Sequence, residues 1–144
     1  MTRPLLEVDD LAVRLPMSGE LKTVLHQVAF TIGEGEALGL VGESGSGKSM
    51  TAKAVARLLP AGAEVRGSIR FRGADVSAMK WQAVRSYRSE VAMVFQDPRA
   101  HVNPVRTIGD FMTESLRTNH NVNKTDAAKK AVALLAEVGI ADGA

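Results

Sequence analysis

Cysteine is absent from the chain, which excludes disulfide frameworks and thiolate metal sites and fits a reducing compartment. Aromatic residues make up only 4% of it, with one tryptophan and one tyrosine, so a base-stacking platform for nucleic acid has little to be built from. Neither sign of charge dominates. The 18 basic and 16 acidic residues leave +2, divided evenly along the chain, which removes the basic footprint of a nucleic-acid binder. No apolar run approaches bilayer-spanning length, and the opening stretch Met1–Asp10 breaks into acid before a signal-peptide core forms. What remains is the expectation of one cytoplasmic globular domain, with 45% hydrophobic residues among 144 to supply a core.

What is present is concentrated in residues 42–49. They read Gly42-Glu43-Ser44-Gly45-Ser46-Gly47-Lys48-Ser49, a complete G-x-x-x-x-G-K-[ST] phosphate loop. The apolar run Ala37-Leu38-Gly39-Leu40-Val41 predicts a strand entering the loop, and Met50–Leu59 predicts a helix leaving it before Pro60 and Gly62. A triphosphate is wrapped by backbone N–H groups, which turn inward only where residues lack a Cβ or tolerate unusual φ. Gly42, Gly45 and Gly47 are expected to supply that freedom. Lys48 brings a point charge to the β- and γ-phosphates, Ser49 offers a hydroxyl to Mg²⁺, and the helix aims its positive end at the same anion. The alternative, a Gly/Ser-rich surface turn, explains none of this convergence.

The flanking sequence reads as α/β. Leu5–Leu15 and Lys22–Ile32 are β-type segments joined by the turn composition Pro16–Glu20, and Gly33–Glu36 turns the second toward the loop. Gly67–Gly73 alternates as a half-buried strand does. Met79–Arg88 predicts a short helix with Trp81 packed inward, and Glu90–Gln96 is a continuous apolar run of buried-strand type that stops at Asp97-Pro98. The texture then turns helical, which divides the chain into 1–97 and 98–144. Thr107–Thr118 sets Ile108, Phe111, Met112 and Leu116 on one stripe. Lys124–Val138, capped by Asn123 or Thr125 and closed by Gly139, does the same with Ala128, Ala131, Val132 and Leu135.

Other candidates read as structural. His26, His101 and His120 lack ligand spacing, and Arg66, Arg70, Arg72, Arg85 and Arg88 read as a solvated face. Trp81 and Phe71 read as core anchors, Asp97 as a turn starter, and the carboxylates of Leu5–Asp9 and of Val132–Glu137 as lying outside any metal strand. Gly33-Glu34-Gly35 lacks the third glycine of a dinucleotide fingerprint.

Three stretches together, Gly39–Ser49, Met93-Val94-Phe95-Gln96-Asp97-Pro98 and Asn103-Pro104-Val105-Arg106-Thr107-Ile108-Gly109, carry a resemblance to the nucleotide-binding domain of ABC transporters, in the oligopeptide, dipeptide and nickel importer branch. The resemblance covers nearly the whole chain and implies an ABC-type P-loop core with an N-terminal antiparallel β subdomain and the start of a helical subdomain. It assigns Gly42, Glu43, Ser44, Gly45, Ser46, Gly47, Lys48, Ser49 and Met50 to ATP, and Ser49 and Gln96 to Mg²⁺. Gln96 becomes the Q-loop glutamine, the catalytic position, whose amide oxygen can ligate Mg²⁺ or hold the attacking water. Implied partners are membrane-spanning permease subunits, contacted around Arg99–Thr107, and a second nucleotide-binding subunit, identical or not. The implied location is the inner face of the cell membrane.

Two departures qualify the match. The family stacks an aromatic residue on adenine where this chain has Arg14 or Leu15; a guanidinium can stack on a base, but weak discrimination between ATP and GTP is expected. The match also stops at Ala144, before the family's Leu-Ser-Gly-Gly-Gln signature, Walker B strand and switch histidine, so it covers about the first half of such a domain. These residues alone are then expected to expose apolar sheet edge and not to hydrolyse ATP. The alternatives are a small P-loop kinase, whose loop strand would begin nearer the N-terminus, and a non-hydrolytic ATP-binding regulatory fragment.

Overall fold

The computed structural model describes residues 4–97 and 102–140. The chain forms two compact units, Met1–Val84 and Arg85–Ala144, and the division falls inside a helix, upstream of the change in texture at residue 98.

In the first unit β1 (Leu6–Met17), β2 (Glu20–Ile32), β3 (Glu64–Phe71) and β4 (Ala74–Asp75) make one antiparallel sheet in the order β2-β1-β3-β4. Ser18-Gly19 (φ 54° and 87°) closes the first hairpin and Arg72-Gly73 (φ 48° and 79°) the hairpin of β3 and β4. Positive φ at both central residues gives the two-residue turn whose twist matches the strands it joins. Strict alternation fails inside β1 and β2, because Asp10 (φ 45°) and Gln27 (φ 48°) each sit where an extra residue is inserted. The inward positions therefore step by three at those points, from Val8 to Leu11 and from Leu25 to Val28. Since both strands bulge, the apolar partners still meet: Val8 opposite Phe30, Leu11 opposite Val28, Val13 opposite Leu25. Val8, Leu11, Val13, Leu25 and Ile69 are buried in this core. Gly67 (φ 82°) is tied to the same bulge, since a Cβ there would strike the Asp9 and Asp10 carbonyls.

α1 (Lys48–Val55) ends earlier than the stretch up to Leu59 suggested. Arg57 takes a left-handed conformation (φ 55°), Leu58 N–H donates to the Lys53 carbonyl at 2.8 Å and Arg57 N–H to the Ala54 carbonyl at 3.1 Å, which terminates the helix. The Arg57 side chain donates to the Met79 carbonyl at 3.0 Å, a contact remote in sequence that outweighs local helix propensity.

Two expected strands are not strands. Neither Ala37–Val41 nor Glu90–Gln96 pairs with any strand among the described residues, and Val41 and Val94 are 98% and 95% exposed. Runs apolar on both faces are built for the middle of a sheet and gain nothing without a neighbour on each edge. The inward packing expected for Trp81 also fails: it is 81% exposed, while Tyr87 is the buried aromatic of α2 (Trp81–Glu90). Helical side chains lean toward the N-terminus, and from the first residue that direction leads off the end of the helix.

The second unit contains the last part of α2, then α3 (Ile108–Thr118) packed on α4 (Lys124–Glu137). α4 begins on Asn123, one of the two caps expected, while Thr107 caps α3 instead of opening it, and Gly139 (φ 86°) follows α4 with Ile140 N–H donating to the Leu135 carbonyl at 2.9 Å. The stripes differ from expectation. Ile108 and Phe111 are exposed and Thr113 is buried on α3, its hydroxyl satisfied by the Gly109 carbonyl at 2.7 Å. On α4 the buried residues are Ala131, as expected, and Ala127, where Ala128 and Val132 were expected. The facing helix selects the side, and small side chains let it approach.

Candidate functional site

The loop joins two different geometries. Before it lies the unpaired segment ending at Val41; after it Gly47, in the left-handed region at φ 94°, is the N-cap of α1. Ser46 N–H donates to the Glu43 carbonyl at 3.2 Å and closes a turn in which Gly45 has φ 84°. Glycine is required at Gly47 twice over: by that φ, and because a Cβ would run into Leu25 Cδ2, with the Val24 carbonyl 3.5 Å away. Leu25, buried on β2, thus supports the loop from beneath. Sequence reading missed it because the bulge at Gln27 hides its inward phase.

Gly42 corrects the expectation for the glycines. It is not among the positive-φ residues; instead a Cβ there would come within 2.7 Å of Ser46 Oγ. Space, not backbone freedom, calls for glycine at this position.

Lys48 is the first residue of α1, and its ammonium folds back over the loop. It donates to the Gly42 and Glu43 carbonyls at 2.7 Å each and to Ser46 Oγ at 3.2 Å. Nothing caps the helix: Gly47 makes no side-chain hydrogen bond to it, and its first turn contains no acidic residue. The opening N–H groups of a helix have no carbonyl one turn earlier, so those of Lys48, Ser49 and Met50 face outward with the positive end of the helix dipole behind them. Thr51, buried, fixes the next turn by donating its hydroxyl to the Gly47 carbonyl at 3.1 Å and its N–H to the same oxygen at 2.8 Å. Glu43, Ser44, Gly45, Ser46 and Ser49 are all exposed at this mouth, so the structure gathers the whole set from Gly42 to Met50 about one helix start.

The remaining site expectations fall on other segments of the chain. Gln96 is exposed in the second unit, after the run of Val91 to Phe95. Asn103 closes a turn, accepting from Val105 N–H on its side chain at 3.0 Å and from Arg106 N–H on its carbonyl at 3.1 Å. Arg99 and His101 lie outside the described residues. Arg106 donates to Glu114 at 2.6 Å, and that hydrogen bond and its charge raise the guanidinium pKa above its ordinary value, with Asp110 adding to the effect. Arg14, a candidate for base stacking, is bound within the sheet: it pairs with Glu64 at 3.0 Å and reaches the Leu21 carbonyl at 3.5 Å. A cavity of about 360 Å³ lined by Ala54, Arg57, Leu59, Val65, Ile69 and Val76 includes none of the loop residues. Among the described residues no cluster of His, Cys, Asp or Glu could hold a metal ion by itself, and no helix is long and apolar enough to cross a membrane.

Comparison with known proteins decides the family. The profile of the ABC transporter family matches residues 25–143. The chain belongs to the ABC transporter family. Its relatives agree in kind. It is 43% identical over 99% of its length to a Brucella abortus protein provisionally named a peptide import ATP-binding protein, of which the match covers 44%. It is 42% identical over 95% of its length to the oligopeptide transport ATP-binding protein OppD of Mycobacterium tuberculosis, covering 23% of that protein. With the OppD of Bacillus subtilis it shares 40% identity over 94% of its length, covering 39% of that protein. The chain therefore spans less than half the length of these relatives.

Proposed function

We propose that the chain is the phosphate-binding portion of an ATP-binding subunit that serves peptide import, a task that the names of its relatives assign to them. The observation that carries the reading is the uncapped start of α1, where Lys48 and the outward N–H groups of Lys48, Ser49 and Met50 converge inside a complete phosphate loop. The residues fit a Mg-nucleotide: Ser49 presents an exposed hydroxyl beside that start, and an anion there would meet the dipole and the ammonium together. The Ser49 hydroxyl would hold a Mg²⁺ ion there, which would supply positive charge to offset that of the phosphates. We assign Ser49 to the ion, and Gln96 as its partner, on the strength of the motif. The positions expected to meet the base, Arg14 and Leu15, are not aromatic, and the engagement of Arg14 with Glu64 supports weak discrimination between ATP and GTP.

The partners that fit are permease subunits in the membrane and a second nucleotide-binding subunit, with the chain on the inner face. Residues 1–97 would bind nucleotide, and 98–144 would carry the signal from Gln96 to the permease. Nucleic acid is not a partner of this nearly neutral chain. The test is titration of the chain with a fluorescent ATP analogue, with and without Mg²⁺. Binding that is Mg-dependent, and loses that dependence in Ser49→Ala, supports the reading; no binding sinks it. Steady Mg-dependent phosphate release by these residues alone, lost in Gln96→Ala, would overturn the expectation that they bind without turnover.

A further inference from the structure

The Lys48 ammonium has three protons, and three oxygens of the loop take them: the Gly42 and Glu43 carbonyls at 2.7 Å and Ser46 Oγ at 3.2 Å. Two of these acceptors are backbone. The third is a side chain at a position where the motif accepts any residue. Its own backbone is fixed by the 3.2 Å hydrogen bond from Ser46 N–H to the Glu43 carbonyl, and its rotamer is set from across the loop. A Cβ on Gly42 would lie 2.7 Å from Ser46 Oγ and 3.3 Å from Ser46 Cβ, so any larger residue at 42 would push the hydroxyl off Lys48.

We propose that Ser46 is a positioning residue for Lys48, and that Gly42 is glycine in order to leave the Ser46 hydroxyl its place. The proposal rests on the reading of the loop as a nucleotide site and deepens it. In the free loop the three acceptors hold the ammonium over the mouth. A phosphate oxygen entering the mouth then meets an ammonium that is already ordered, so less side-chain freedom is lost on binding. The side chain therefore presets the cation before the ligand arrives.

The experiment measures Mg-ATP affinity of the full chain by calorimetry, together with hydrogen exchange at the Lys48 ammonium by NMR without nucleotide. Ser46 is exposed, so its variants should leave the fold intact. Ser46→Ala should weaken binding about 2- to 12-fold, the worth of one hydrogen bond, and speed the exchange; Ser46→Thr, which keeps the hydroxyl, should recover most of both. Gly42→Ala should cost at least as much as Ser46→Ala, and combining it with Ser46→Gly, which ends the clash without restoring the hydroxyl, should bring the loss to that of Ser46→Ala and no further. In a Lys48→Ala background, Ser46→Ala should change affinity less than about twofold, since its effect runs through the ammonium. Unchanged affinity and exchange in Ser46→Ala, or an equal loss in both backgrounds, would overturn the proposal. Faster exchange in Ser46→Ala with no Mg-ATP binding by the unmodified chain would uphold the positioning role and remove the nucleotide reading instead.

Discussion

At the start of α3 the Thr107 hydroxyl accepts from the Asp110 N–H at 3.1 Å, and at the start of α4 the Asn123 side chain accepts from the Asp126 N–H at 2.9 Å; each helix also places that aspartate in its first turn. At the start of α1 there is a left-handed glycine, no capping oxygen, no acid, and a lysine as first residue. An N-cap of this kind is worth about 1 kcal/mol, and a first-turn carboxylate about 0.3–1 kcal/mol more. The helices of the second unit satisfy their own ends. α1 forgoes both contributions, and so keeps a set of donors and a positive potential available to an anion from outside. The contrast is between helix starts that α3 and α4 satisfy from their own sequence and a start of α1 that is left open.

The comparison can be broken most severely at Gly47. Gly47→Ala forces a Cβ into Leu25 and into a left-handed backbone, which together should cost about 2–5 kcal/mol and abolish measurable ATP binding; denaturant melts and calorimetry read the two effects, and a variant that still binds tightly would refute the loop geometry. Lys48→Ala comes next. It removes the charged donor, and a loss of about 1.5–3 kcal/mol, roughly 10- to 150-fold in affinity, is expected by titration, with little effect on stability. Asn123→Ala tests the other side of the contrast: it should destabilise the second unit by about 1 kcal/mol in denaturant unfolding and leave ATP binding unchanged. The smallest effect makes α1 resemble its counterparts. Met50→Glu puts a carboxylate in the first turn and should stabilise the nucleotide-free chain by about 0.3–1 kcal/mol while weakening ATP binding. Tighter binding in that variant would mean the start of α1 does not face the anion.

The phosphate-loop motif, the helix ends at Asn123 and Gly139, and the first hairpin turn were legible in the sequence, for one physical reason. Each is made by groups within about five residues of one another, so the residue types that satisfy it stand side by side in the chain. The helical stripes and the two apolar runs were legible only in part, because periodicity says that a segment has an apolar face without saying what will cover it. Tertiary structure alone decided that Ala37–Val41 and Glu90–Gln96 pair with no strand among the described residues, and that Tyr87 is inside where Trp81 was expected. It also decided that paired bulges at Asp10 and Gln27 turn Leu25 beneath Gly47, and that Gly42 answers to Ser46 rather than to its own φ. The local pattern read as a phosphate loop stands in eight consecutive letters, Gly42 to Ser49. The support for that loop depends on packing against residues distant along the chain, where burial is set by which surfaces meet and not by the order of the residues that form them.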